Sequence, residues 1–128
     1  MILKLFLATL VAGALLATES SLVCNRSALT ASARRRHFDE LGPALYGIVR
    51  SVREVTDGYE FQFPADPASY KLVAEWVGGE RLCCPFFDID LLLEREKGAL
   101  WLRLTGRQGV KEFIKVDFDP WFKAASLR

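Results

Sequence analysis

The feature that most constrains the fold is a helix-length stretch bracketed by proline, from Asp66-Pro67 to Pro85, with a β-hairpin signature on either side. Asp66 supplies an N-cap oxygen, and Pro67 suits the first helical position, where no backbone N–H is needed. Tyr70, Leu72, Val73, Trp76 and Val77 then lead toward Cys83-Cys84, where Pro85 stops the helix, and Gly78-Gly79 weakens its middle. Upstream, the β-branched run from Ile48 to Val55, the Asp57-Gly58 turn and the alternation Tyr59-Glu60-Phe61-Gln62-Phe63 spell a hairpin. Downstream, Phe87-Asp88-Ile89-Asp90-Leu91 alternates, Lys97-Gly98 turns the chain, and Leu100-Trp101-Leu102-Arg103-Leu104 returns with its leucines on one face.

The flanks add helices. Ser27 or Thr30 can N-cap a helix over residues 31–41, which Gly42-Pro43 is expected to kink or break before Ala44-Leu45-Tyr46. The cationic run Arg34-Arg35-Arg36 has Asp39 and Glu40 four residues on, which reads as a solvated helix face with local ion pairs. Residues 109–114 offer a short amphipathic helix, and residues 119–128 are left as a C-terminal tail carrying Trp121 and Phe122. The order helix, hairpin, helix, hairpin, helix predicts an α+β fold of two layers, an about four-stranded, mainly antiparallel sheet with helices packed on one face. The other face, partly open to solvent, carries Glu60, Gln62, Asp88, Asp90, Trp101 and Arg103. Asp88 and Asp90 point the same way and serve either cross-strand charge pairs or a hard ion, and Trp101 offers a contact to a protein partner or a second copy.

At 128 residues, 51% hydrophobic and 26% charged, the chain suits a single domain, read here as residues 24–118. Residues 1–17 hold one cation, Lys4, ahead of an apolar run over residues 5–17 that matches a signal-peptide core and is short for a bilayer span of about 20 residues. A cleaved leader implies a periplasmic or secreted protein with no stable membrane span; without cleavage the alternatives are a membrane anchor or a cytoplasmic chain. The 17 Lys and Arg oppose 16 Asp and Glu, so losing Lys4 leaves a formally neutral domain. Such a domain lacks the basic footprint of a nucleic-acid binder.

Three cysteines carry the most distinctive chemistry: Cys24, and the adjacent pair Cys83-Cys84. On an ideal helix Cys83 lies near the direction of Trp76 and Cys84 near that of Val77, which places the pair on or beside the core face. Four arrangements follow: buried apolar thiols, a soft-metal site with Cys24 as third ligand, a disulfide from Cys24 to Cys83 or Cys84 with one thiol left over, or a strained Cys83–Cys84 disulfide. Trigonal thiolate coordination suits mercury(II), arsenic(III) or copper(I). Zinc prefers four ligands, and with His37 the only histidine it would need a carboxylate such as Glu80 or Asp88. Catalytic thiol chemistry is disfavoured, because the helix C-terminus opposes a thiolate and His37 serves as a base only if the first helix reaches the Pro85 corner. The common hydrolase, metalloprotease and nucleotide-binding signatures are absent.

The stretch Glu80-Arg81-Leu82-Cys83-Cys84-Pro85-Phe86-Phe87, with Cys24-Asn25-Arg26-Ser27-Ala28-Leu29 before it and Leu100-Trp101-Leu102-Arg103-Leu104-Thr105-Gly106 after, resembles a family of small uncharacterised bacterial proteins. An early cysteine and a Glu-Arg-x-Cys-Cys-Pro-Phe corner mark that family, and the likeness spans roughly Cys24 to Ile114. The resemblance implies Cys24, Cys83 and Cys84 as thiol ligands, with Glu80 and Arg81 supporting them, and its association with metal-responsive regulators points to a soft thiophilic ion. The main expectation is thus a non-catalytic domain binding mercury, arsenite or copper through its cysteines. The alternative is a structural or protein-interaction domain with packed or disulfide-bonded cysteines that uses Trp101, Asp88, Asp90 and Arg103 on the open sheet face.

Overall fold

Alternating side chains over two hairpins decide which face of the sheet is covered. The computed structural model describes residues 19–128 together with Gly13; the leader expected over residues 1–17 otherwise lies outside the described residues. Strands β1 (Ser51–Val55) and β2 (Gly58–Phe63) form the first antiparallel hairpin, and β3 (Asp88–Leu93) and β4 (Leu100–Thr105) the second. The hairpins join through an antiparallel β2–β4 pairing, which gives the order β1-β2-β4-β3. Tyr59 stands opposite Leu104, Phe61 opposite Leu102 and Phe63 opposite Leu100, so a two-residue period delivers all six to one face. Phe61, Phe63, Leu100, Leu102 and Leu104 are buried there. The α+β fold read from the sequence is the fold observed.

Helices α1 (Ala31–Arg35), α2 (Gly42–Tyr46), α3 (Pro67–Cys83), α4 (Val110–Asp117) and α5 (Asp119–Ser126) complete the domain. Helix α3 begins as expected: the Asp66 carboxylate accepts from the Ser69 amide at 3.2 Å and from its hydroxyl at 2.6 Å. Its buried residues Ser69, Val73, Trp76, Glu80 and Cys83 recur every three or four positions, one stripe of a helix. The stretch set off as a C-terminal tail is in fact helical over Asp119–Ser126. Pro120 sits in its first turn, where proline starts helices well, and buried Trp121 packs edge-on against Phe61 at 5.2 Å and Phe63 at 5.7 Å.

The first helix also departs from expectation. Thr30 caps it, with its hydroxyl accepting from the Ala33 amide at 3.3 Å, but it does not break at Gly42-Pro43. Residues Arg36–Leu41 instead form a π-helical turn between α1 and α2, and the Gly42 amide donates to the His37 carbonyl five residues back. Widening the turn by one residue lets Pro43, which has no N–H to give, enter the first turn of α2.

On the open face Glu60 is clasped from both sides. Arg103 donates to it at 2.8 Å from strand β4, and Arg53 bonds it from β1. Arg53 also lies 3.8 Å over the Trp101 ring, whose indole N–H donates to Glu94. Trp101 therefore lies on the expected face but is covered, only 8% exposed. Burial by itself raises the Glu60 carboxyl, yet the hydrogen bonds from Arg103 and Arg53 outweigh it and hold the group below its usual range. A carboxylate lowered in this way stabilises the fold above its ordinary range, and that contribution is lost as pH falls through the lowered value. Glu60→Gln is expected to cost about 1–3 kcal/mol at neutral pH and to flatten the acid side of the stability curve. Urea unfolding at neutral and acid pH measures both effects.

Candidate functional site

Three segments converge on the C-terminal end of α3: the chain around Cys24, the π turn and α3 itself. Cys24 and Cys84 form a disulfide with Cα atoms 4.5 Å apart, across a sequence separation of 60. Beside it the Asn25 amide donates to the Cys83 carbonyl at 2.6 Å, so the early segment is held by a covalent bond and a backbone bond together. The Cys84 amide donates to the Glu80 carbonyl at 2.7 Å and closes the last turn before Pro85.

Cys83 is a buried free thiol packed against this bond. Its Sγ lies 3.6 Å from Cys84 Sγ, 3.9 Å from His37 Nε2 and 3.8 Å from Glu80 Oε2. Glu80 and Cys83 share a face of α3 because they are three residues apart. His37, from the start of the π turn, brings Nε2 to 2.8 Å from Glu80 Oε2, and both side chains are buried. Trp76, one turn before Glu80, stacks on the His37 imidazole at 5.6 Å with 15° between planes. A Cβ on Gly79 would lie 2.5 Å from His37 Nδ1. The glycine that weakens the helix on paper is therefore where the helix leaves room for the imidazole.

Burial raises the Glu80 carboxyl, with His37 drawing it back only in part. Burial, aided by the charge of Glu80, pushes the Cys83 thiol up to about 12. A thiol so raised is no nucleophile at neutral pH, even though the first helix does reach the Pro85 corner and sets His37 beside it. His37 Nδ1 is the one buried side-chain nitrogen or oxygen without a hydrogen-bond partner among the described residues. A cavity of about 270 Å³ opens beside the site, lined among others by Cys24, His37, Trp76, Glu80, Cys84 and Trp121.

Of the four arrangements open from the sequence, the structure shows the disulfide from Cys24 to Cys84 with Cys83 left over, so three thiolates do not stand free at once. Glu80 belongs to the group and Arg81 does not: it is exposed, with no side-chain hydrogen bond or ion pair among those found for the described residues. Asp88, Asp90, Trp101 and Arg103 lie elsewhere, on the open face of β3 and β4. Two donor groups are close enough to share an ion, Cys24 with Glu80 and Cys84, and His37 with Glu80 and Cys83; within each, the donor atoms all lie within 4.8 Å of one another. Compared with known proteins, the chain matches no family model, no curated protein and no solved structure.

Alkylation read by mass spectrometry should find no labelled cysteine in the native protein at neutral pH, one after unfolding, and three after unfolding with reductant. Closing a loop of 60 residues is worth about 4 kcal/mol in the chain-entropy account of disulfides. Reducing Cys24–Cys84 is accordingly expected to lower the urea midpoint by that equivalent.

Proposed function

We propose that this chain is a non-catalytic α+β domain that works by binding another protein, its cysteines serving chiefly as a staple. The Cys24–Cys84 bond carries this reading, because it removes two of the three thiols from metal or redox work and leaves the third buried and protonated. A structural disulfide suits an oxidising compartment, which agrees with the periplasmic or secreted location that the leader suggests.

The surface best suited to a partner is the β3 edge. Among the described residues strand β3 is paired on one side only, and Leu91, Leu92 and Leu93 are 37%, 54% and 52% exposed. Leu91 and Leu93 stand opposite Leu102 and Leu100 on the helix-covered face, while Leu92 stands opposite Trp101 on the open one. An edge with free backbone groups and apolar side chains on both faces is a template for an added strand. Antiparallel pairing with a second copy centred on Leu92 would set Asp90 against Glu94, like charge on like. Asp88 and Asp90 are exposed and take part in none of the ion pairs found among the described residues, so the occupant this edge fits is an extended apolar segment of another protein with basic residues.

A synthetic peptide alternating valine and lysine, titrated into isotope-labelled protein, should shift the amide resonances of Asp88–Leu93. Its glutamate counterpart should bind about 10-fold more weakly, as charge pairs of about 0.7 kcal/mol lost at both Asp88 and Asp90 imply, and Leu93→Lys should weaken the lysine peptide. Absence of shifts at β3 would sink the proposal, and a light-scattering dimer joined through β3 would replace the foreign strand with a second copy.

A second reading, capture of a soft metal ion by reduced cysteines, is favoured by the closeness of the Cys24, Glu80 and Cys84 donors and by the family resemblance. It requires reduced protein to hold mercury(II) or copper(I) more tightly than its thiol-free variant.

A further inference from the structure

Cys83 stands at the hub of a near-regular set of distances, 3.6 Å to Cys84 Sγ, 3.8 Å to Glu80 Oε2 and 3.9 Å to His37 Nε2. A tetrahedral ion with bonds of about 2.0–2.3 Å separates its ligand atoms by roughly 3.3–3.8 Å. Cys84 Sγ also lies within 4.8 Å of a Glu80 carboxylate oxygen, and the His37–Glu80 edge, at 2.8 Å, is short of the tetrahedral range by about half an ångström. The hydrogen bond on that edge is the one an ion would replace.

We propose that reducing the Cys24–Cys84 disulfide creates a four-donor site, Cys83, Cys84, His37 and Glu80, for a borderline divalent ion of the zinc(II) class, and that the disulfide is its gate. The inference rests on the second reading above, that reduced cysteines hold a metal, and changes both its ligand set and its metal. Nitrogen and oxygen donors beside two sulfurs suit zinc(II) better than the trigonal, all-thiolate coordination that mercury(II) and copper(I) accept. Two further observations point to a cation. A carboxyl, a thiol and an imidazole are buried together with no lysine or arginine bonded to them among the described residues, so an entering ion meets no competing side-chain cation from those residues. His37 Nδ1 is also free of any hydrogen bond, so the ring is fixed by stacking on Trp76 and by the Gly79 backbone and can exchange its Nε2 partner without breaking another bond.

The gate is a balanced redox step. Two electrons and two protons from a dithiol break the Cys24–Cys84 bond, giving two thiols while the dithiol becomes a disulfide. The ion then displaces the thiol protons of Cys83 and Cys84 to solvent. Cys24, released, lies within reach of Glu80 and Cys84 but is not required to complete four ligands. Reoxidation takes Cys84 away and leaves three donors.

The test uses the folded chain, oxidised or reduced with a phosphine, titrated with zinc(II) against a chromophoric chelator and with cobalt(II) as a spectroscopic probe. Reduced protein is expected to bind one ion about 100-fold or more tighter than oxidised protein, with the visible bands of tetrahedral cobalt and a thiolate charge-transfer band. Cys24→Ser, which keeps all four donors and cannot close the gate, should bind without reductant. His37→Gln should weaken binding by about 10- to 100-fold and move the cobalt bands. Circular dichroism checks that each form is folded, and the comparison of oxidised with reduced parent needs no variant. Equal binding by the oxidised form, or indifference to His37→Gln, overturns the proposal. Reduced protein that takes mercury(II) or copper(I) but neither zinc(II) nor cobalt(II) overturns it while sparing the soft-metal reading, and binding of none of the four ends both.

Discussion

Glu80 is buried on the same stripe of α3 that buries Val73, Trp76 and Cys83, and the helical side of the molecule is arranged around that constraint. A buried carboxyl is expensive without a partner. Here the partner comes from another helix, 43 residues away in sequence, and several features exist to let it in. Trp76 gives the imidazole a flat surface, Gly79 gives it room, and the π turn begins at Arg36, one residue before His37. Each of these looks like a local irregularity until the pair is in view. Together they make the end of α3 a polar pocket inside an apolar core.

The disulfide works on that same end from the opposite side. By tying Cys24 to Cys84 it places Asn25 against the Cys83 carbonyl and brings the early segment alongside the helix terminus. The end of α3 is therefore held by chemistry rather than by surface apolar contact alone. Structural tie and chemical centre share atoms, so a change in the state of the cysteines changes the support of the helix end as well. On the opposite side of the sheet the Arg53–Glu60–Arg103 clasp is a conventional surface feature by comparison, and it explains why Trp101 is hidden where it stands.

The two hairpins and α3 were legible because each rests on local rules: strict alternation, a turn dipeptide, a capping Asp followed by Pro. The covered and open faces followed directly from the alternation. The π turn was not legible, since Gly42-Pro43 reads as a break and only the packing of His37 and Leu41 reveals that the helix continues through it. Asp119-Pro120 carried a usable helix-start signal that the surrounding aromatics obscured. Among the site residues, the sequence left the distance from Cys24 to the pair open, and helical periodicity cannot choose between Cys83 and Cys84 as the partner of Cys24, because both flank the core direction. The His37–Glu80 pairing left no local trace, as contacts between distant segments do not.

The span enclosed by Cys24 and Cys84 contains α1, the π turn, α2, the first hairpin and α3, while the second hairpin, α4 and α5 lie outside it. Tension applied to the two ends of the chain therefore bypasses the enclosed half, passing from Cys24 through sulfur to Cys84 and on into β3. The polypeptide between the two cysteines cannot be drawn out by that tension while the bond is intact, and its extension is subtracted from the length the molecule can pay out. Mechanically the domain behaves as a short tether with a shielded half, and cutting a single covalent bond would return 60 residues of sequence separation to the extensible chain.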